Sequence, residues 1–232
     1  MGSPRFRLDL ERFERNIEKI RDEVAALAPG PSPTILPVTK YLDSDDCRRL
    51  HDHGYGPLGE NRADALVEKA GDEPNPSDWH FIGHLQRNKI SRVLLRISLL
   101  HSLDNERLAS EIEDWGARES RPVEVLVQVN ISGEMSKGGL TIAEARAKIP
   151  TWTERFRFVR VRGLMTMAPL EDPEASRPCF RGLRELRDDL RGLLAPEARD
   201  EFSELSMGMS NDYRIATLEG ATLLRLGQLL YE

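Results

Sequence analysis

Lysine is scarce in this chain: of its 33 basic residues only six are lysine (Lys19, Lys40, Lys69, Lys89, Lys137 and Lys148) and the other 27 are arginine. Cysteine is scarcer still. Cys47 and Cys179 stand alone, with no CxxC pair and no metal-like spacing, which excludes a disulfide scaffold and a zinc module and predicts a reducing, cytoplasmic setting. No long apolar run is present, so no membrane span is expected, and the first residues show neither a signal nor a transit segment. Positive charge is not in excess. A net charge of −6 argues against a nucleic-acid binder, which would carry a basic face. Residues 38–44, after the first strand-like run, read Val-Thr-Lys-Tyr-Leu-Asp-Ser without a glycine, so the phosphate turn of a doubly wound open sheet is missing.

An apolar fraction of 39% is enough for a substantial core. Leu8, Leu10, Phe13, Ile17, Ile20, Val24 and Leu27 recur at three- and four-residue spacing, the pattern of an amphipathic helix, which Pro29-Gly30-Pro31-Ser32-Pro33 then ends. Strand-like runs follow at 34–40, 55–60, 79–83, 97–103, 123–131, 158–167, 202–207 and 222–231. Helix-like stretches alternate with them at 43–53, 62–71, 86–94, 105–118, 141–149, 173–194 and 211–219. No repeat, low-complexity tract or linker divides the chain. The expectation is one domain over 1–232, a single (β/α)8 barrel with the leading helix across its open end, and an open sheet is the competitor.

In such a barrel the reactive groups stand at the carboxyl ends of the strands. Alternation along Leu36, Val38 and Lys40 puts the lysine on one face, and if that face points inward the amine stands at the barrel mouth. An amine held there can attack a carbonyl, which an arginine cannot. A solvated strand-end lysine is the plainer reading. The Ser206-Met207-Gly208-Met209-Ser210 turn, with Ser210 as N-cap of the next helix, reads as an anion site, and Gly227 lets backbone approach closely beside it. An ordinary capped helix is the alternative for Ser210. Together these residues suggest a phosphorylated aldehyde as ligand. His51 and His53 flank Asp52 at a helix end with no third ligand near, so a polar turn is expected there rather than a metal pair. Asp188-Asp189 reads as a salt-bridged solvent face.

Val38-Thr39-Lys40, Gly59-Glu60-Asn61, the run from Trp79 to Lys89, Val129 to Ser132 with Ser136 to Leu140, Arg162 to Met165, Leu205 to Ser210, and Arg225-Leu226-Gly227 carry a resemblance. From about residue 34 onward the chain resembles the pyridoxal 5′-phosphate (PLP) homeostasis proteins, a family related to the N-terminal barrel of alanine racemase (PLP fold type III). The resemblance implies a cytoplasmic PLP-binding barrel that buffers or delivers the cofactor in vitamin B6 and amino-acid homeostasis, without established turnover. It implies that Lys40 forms the internal aldimine and that Asn61 lies near the ring hydroxyl or the aldimine. Ser206, Ser210 and the Gly227 backbone would hold the phosphate, Arg225 would face the pyridine nitrogen or the phosphate, and Met165 and His80 would flank the ring. Two departures stand out: Pro37 removes a ladder N–H in mid-strand, and Tyr41-Leu42-Asp43 replaces a more usual polar residue and proline.

A fixed cation at the pyridine nitrogen opposes its protonation and weakens carbanion chemistry, and the chain past the eighth strand offers no residues for a racemase's second domain. Both favour a carrier, with PLP-dependent apoenzymes as recipients, over an amino-acid racemase. A monomer is expected, since no domain is left over for sharing active-site residues. A cofactor-free Schiff-base aldolase is the third reading. Lys137, in a glycine-flanked loop, is either a transient acceptor of the aldehyde or a solvated loop lysine.

Overall fold

The computed structural model describes residues 7–72, 75, 78–134, 138–169 and 173–232. Lys137 lies outside them. Helix α1 (Leu10–Leu27) opens the fold, with Asp9 as N-cap accepting from the Arg12 N–H and Phe13, Ile17, Ile20 and Val24 on its buried stripe. Each of those side chains contributes about 1.5–3 kcal/mol of burial.

Eight parallel strands follow: β1 (Thr34–Pro37), β2 (Leu58–Glu60), β3 (Trp79–Phe81), β4 (Leu99–Leu103), β5 (Val123–Gln128), β6 (Val159–Met165), β7 (Glu204–Ser206) and β8 (Leu223–Leu226). They pair in the order β1-β8-β7-β6-β5-β4-β3-β2. Between them run α2 (Ser44–Asp52), α3 (Ala63–Ala70), α4 (Ile90–Leu94), α5 (Glu106–Glu119), α6 (Ile142–Arg155), α7 (Arg177–Arg191), α8 (Pro196–Glu201) and α9 (Tyr213–Leu218), and α10 (Gln228–Tyr231) ends the chain. Among the described residues no helix is long and apolar enough to cross a membrane.

The cylinder closes at β1 and β2, and it closes thinly. One parallel bridge, Val38 to Gly59, joins them, with the Thr39 N–H donating to the Gly59 carbonyl at 2.9 Å. Pro37 explains the thin seam. The N–H groups of Thr34 and Val38 point to β8 (2.8 and 2.7 Å) and that of Thr39 points to β2, so strand parity places the missing donor of Pro37 on the β2 side. The ladder to β8 therefore stays complete while the seam to β2 begins one residue later.

Several expectations change. Helix α1 does not cover the barrel end; it packs on α9 and α10, and the Asn16 side-chain amide donates to the Leu230 and Glu232 carbonyls. Just ahead of it, the Leu8 main-chain N–H donates to Asp46 of α2. It thus fills the outer-ring place that the four-residue α10 is too short to occupy. The apolar stretch 222–231 is not one strand, since β8 stops at Leu226 and α10 begins after Gly227. Helix α6 runs on to Arg155 through Pro150, and α8 forms where none was expected.

Candidate functional site

Lys40, Asn61, Ser210, Arg225 and Gly227 meet around one cavity of about 510 Å³ at the carboxyl end of the strands. Lys40 stands three residues past the end of β1, beyond the Val38 bridge, exposed to that cavity, and its Nζ sits 4.8 Å over the Tyr41 ring. Tyr41, one of the family departures, is therefore what the amine rests against.

Behind Lys40 lies a buried ion pair that sequence reasoning missed. Lys69 Nζ of α3 reaches Glu60 Oε2 at 2.6 Å and the Thr39 carbonyl at 2.7 Å. The other Glu60 oxygen accepts from the main-chain N–H groups of Asn61 (2.8 Å) and Arg62 (3.2 Å). Glu60 is fully buried and the Lys69 side chain is 8% exposed. The pair ties the chain next to Lys40 to the chain next to Asn61, across the thinly bridged seam. Gly83 lets β3 join them, because a Cβ there would stand 1.9 Å from the Asn61 carbonyl oxygen.

The opposite wall is β7, β8 and the turn between β7 and α9. Gly208 has φ +89, and a Cβ there would stand 2.5 Å from that of Ala216, so the position demands glycine. Ser210 is not the helix cap: α9 starts at Tyr213, and Asp212 occupies the cap position. Its carboxylate accepts from the Met209 N–H (2.6 Å) and the Ser176 hydroxyl (3.3 Å), and burial pushes its pKa up. Among the described residues the main-chain N–H groups of Ser210, Asn211 and Gly227 carry no hydrogen bond. Three main-chain donors without a protein acceptor around one cavity are what a phosphate needs, and they replace the capped-helix argument as its basis.

Arg225 is buried, 5% exposed, with no carboxylate in ion-pair range among the described residues. Burial lowers its pKa to about 10 against the opposing charge of Asp212. Nη1 donates to Ser206 Oγ at 2.7 Å and Nη2 to the Thr166 carbonyl at 2.9 Å, which uses two of its five N–H groups.

The structure does not bring three expected residues to this cavity. Ser206 is wholly buried below it, bonded to Arg225 and His101. Met165 packs inside the barrel against Leu99, Leu126 and Leu223. His80 hydrogen-bonds His101 and lines a second cavity, of about 890 Å³, at the amino end of the barrel with Glu124, Arg162 and Glu204. Of the other histidines, His84 pairs with Asp104 at 3.2 Å on the surface. His51 faces Asp78 and Trp79 while His53 bonds the Arg49 carbonyl, so the two rings do not converge. Asp188 and Asp189 pair with Arg187 and Arg146 on an exposed face.

The model of the alanine racemase N-terminal domain family matches residues 8–232. The chain belongs to this family. Within it, the chain is 37% identical over 224 residues to the pyridoxal phosphate homeostasis protein of Aquifex aeolicus, covering 95% of this chain and 96% of that one. PipY of Synechococcus elongatus, solved with PLP bound, superposes at a TM-score of 0.79 with 26% identity, over 95% of this chain and all of that one. A protein from Bifidobacterium adolescentis superposes at a TM-score of 0.85 with 29% identity, each chain fully covered. The expected alanine-racemase-like barrel is thus the observed fold.

Proposed function

We propose that this protein binds PLP reversibly on Lys40 and buffers or delivers it, a role in PLP homeostasis. One observation carries the reading: a cavity of about 510 Å³ holds an exposed amine on one wall and, on the other, unbonded main-chain N–H groups and a buried guanidinium. The residues fit the cofactor. Lys40 would supply the amine, the N–H groups of Ser210, Asn211 and Gly227 would hold the phosphate, Asn61 would meet a polar group of the ring, and the remaining donors of Arg225 would meet the ring nitrogen or the phosphate. When bound, PLP supplies an aldehyde that an amine captures reversibly, together with a conjugated ring able to accept electrons. Arg225 places a fixed positive charge in the wall, which opposes protonation of a nearby ring nitrogen and so restrains amino-acid chemistry. The homeostasis name of the Aquifex relative and the PLP in PipY point the same way.

The recipients we infer are PLP-dependent apoenzymes. We take the carrier to act as a cytoplasmic monomer, and the support for the reducing setting is that Cys47 and Cys179 are both buried and outside any disulfide. Loading purified protein with PLP should give a visible absorbance band that Lys40→Ala abolishes. A band of wild-type strength in that variant refutes the assignment. Racemisation of L-amino acids above the rate of free PLP would favour the racemase reading instead.

A further inference from the structure

A continuous polar chain crosses the barrel interior, from the carboxyl-end cavity to the cavity at the amino end. Arg225 Nη1 donates to Ser206 Oγ (2.7 Å), Ser206 Oγ meets His101 Nδ1 (2.8 Å), and His101 Nε2 meets His80 Nδ1 (3.1 Å). Arg225 lines the first cavity and His80 the second. His101 and Ser206 are wholly buried between them.

We propose that Ser206, His101 and His80 are positioning residues of Arg225, joined in a hydrogen-bond relay of fixed polarity, and that Ser206 takes no part in holding phosphate. The polarity follows from Arg225, which only donates. Its N–H occupies one lone pair of Ser206 Oγ. The Ser206 hydroxyl proton then needs an acceptor, and the one within reach among the described groups is His101 Nδ1. In the reversed arrangement His101 Nδ1 carries the proton and the buried hydroxyl is left without an acceptor, the costly state of a buried polar group. His101 therefore holds its proton on Nε2 and donates it to His80 Nδ1, so His80 also holds its proton on Nε2, facing away from the relay. Both rings are neutral: burial lowers the pKa of each, that of His80 to about 4, and His80 and Arg225 lower that of His101 further.

The relay uses up Ser206. Its lone pair serves Arg225 and its proton serves His101, and it does not line the cavity, so the phosphate is left to the main-chain donors of Ser210, Asn211 and Gly227. Thr166 anchors the other guanidinium nitrogen. The relay thus sets the orientation of Arg225 from below, where the ligand does not reach.

The inference rests on PLP occupying the Lys40 cavity, and the test separates the two. In the PLP-free wild-type protein, nitrogen-15 NMR of labelled histidine reads the tautomers directly, with only five histidines to assign. His80 and His101 should both be neutral Nε2–H tautomers. An Nδ1–H tautomer or an imidazolium at either, at neutral pH, overturns the relay whatever the ligand. In the second arm, Ser206→Ala should weaken binding of PLP and of phosphate-free pyridoxal by the same factor, roughly three- to tenfold. A loss confined to PLP makes Ser206 a phosphate ligand and overturns the proposal, as does no loss for either. If Lys40→Ala and wild type bind PLP alike, the functional reading fails while the tautomers still judge the relay.

Discussion

Replacing Lys69 with methionine should destabilise the protein more than any exposed ion-pair substitution, although Lys69 lies outside the cofactor cavity. The variant removes the cation that bonds Glu60 at 2.6 Å and the Thr39 carbonyl at 2.7 Å. Glu60, fully buried, keeps its two main-chain donors but loses its counter-charge. Removing one partner of a buried pair costs about 3–5 kcal/mol. The two surviving N–H bonds hold the cost toward the lower end, so about 3 kcal/mol is expected. For a chain of this size that lowers Tm by about 6–12 °C. Urea unfolding of Lys69→Met, Glu60→Gln and the double variant measures it, with the midpoint shifting at constant slope. The double variant leaves no isolated charge and should lose at least about 2 kcal/mol less than the sum of the singles. A Lys69→Met loss below about 1 kcal/mol, or a strictly additive cycle, would refute the claim that this pair locks the β1–β2 seam.

Two further outcomes are expected. Because burial lowers the His80 pKa from 6.5 to about 4, the unfolded chain takes up a proton between those values that the folded one does not. Stability should therefore be full above pH 6.5 and fall as pH drops toward 4, by about 3 kcal/mol from His80 alone, with His101 adding a loss of the same sign; urea midpoints from pH 7.5 to 4.5 that fail to fall would contradict it. Tyr41→Leu removes the ring under the Lys40 amine, a contact worth about 0.5–1 kcal/mol at an exposed site. Stopped-flow capture of PLP should accelerate by about two- to fivefold, and a slower capture would show that the ring assists Lys40 rather than restrains it.

Much of the barrel was readable because alternation and crossover length are local properties. Each of the eight strands falls inside an expected strand-like run and, α8 apart, a helix stands between each consecutive pair where one was expected; the Leu36-Val38-Lys40 alternation brings the amine to the mouth. Alternation reports the face of a strand, though, and not the height of a residue in the barrel. Ser206, His80 and Met165 stand inside the barrel and do not line the cavity: Arg225 takes up Ser206, His101 takes up His80, and the interior apolar cluster takes up Met165. The stretch 222–231 failed for a different reason. Its apolar residues suit a strand and a buried helical turn equally, and only the unpaired chain at Gly227 separates β8 from α10. The buried stripe of α1 likewise established that one face is covered without showing what covers it.

The Lys69–Glu60 pair was invisible for a reason that bears on the whole site. Its partners lie nine residues apart, on the end of a strand and the far end of the next helix, and nothing local brings them together. Their meeting is needed because Pro37 withholds a donor on the β2 side and leaves the seam with a single bridge. Between β5 and β6, by contrast, the main chain itself pairs at six positions. At β1 and β2, side chains do that work: Lys69 bonds the carbonyl just before Lys40, and Glu60 bonds the N–H groups of Asn61 and Arg62 just after β2. The two residues held this way, Lys40 and Asn61, are the ones this wall offers to a ligand. The geometry of the amine is therefore set by a buried charge pair and not by the ladder. On this reasoning a substitution at residue 37 that restores the N–H should relieve part of the damage caused by losing Lys69, whereas the same substitution in the intact protein should change little.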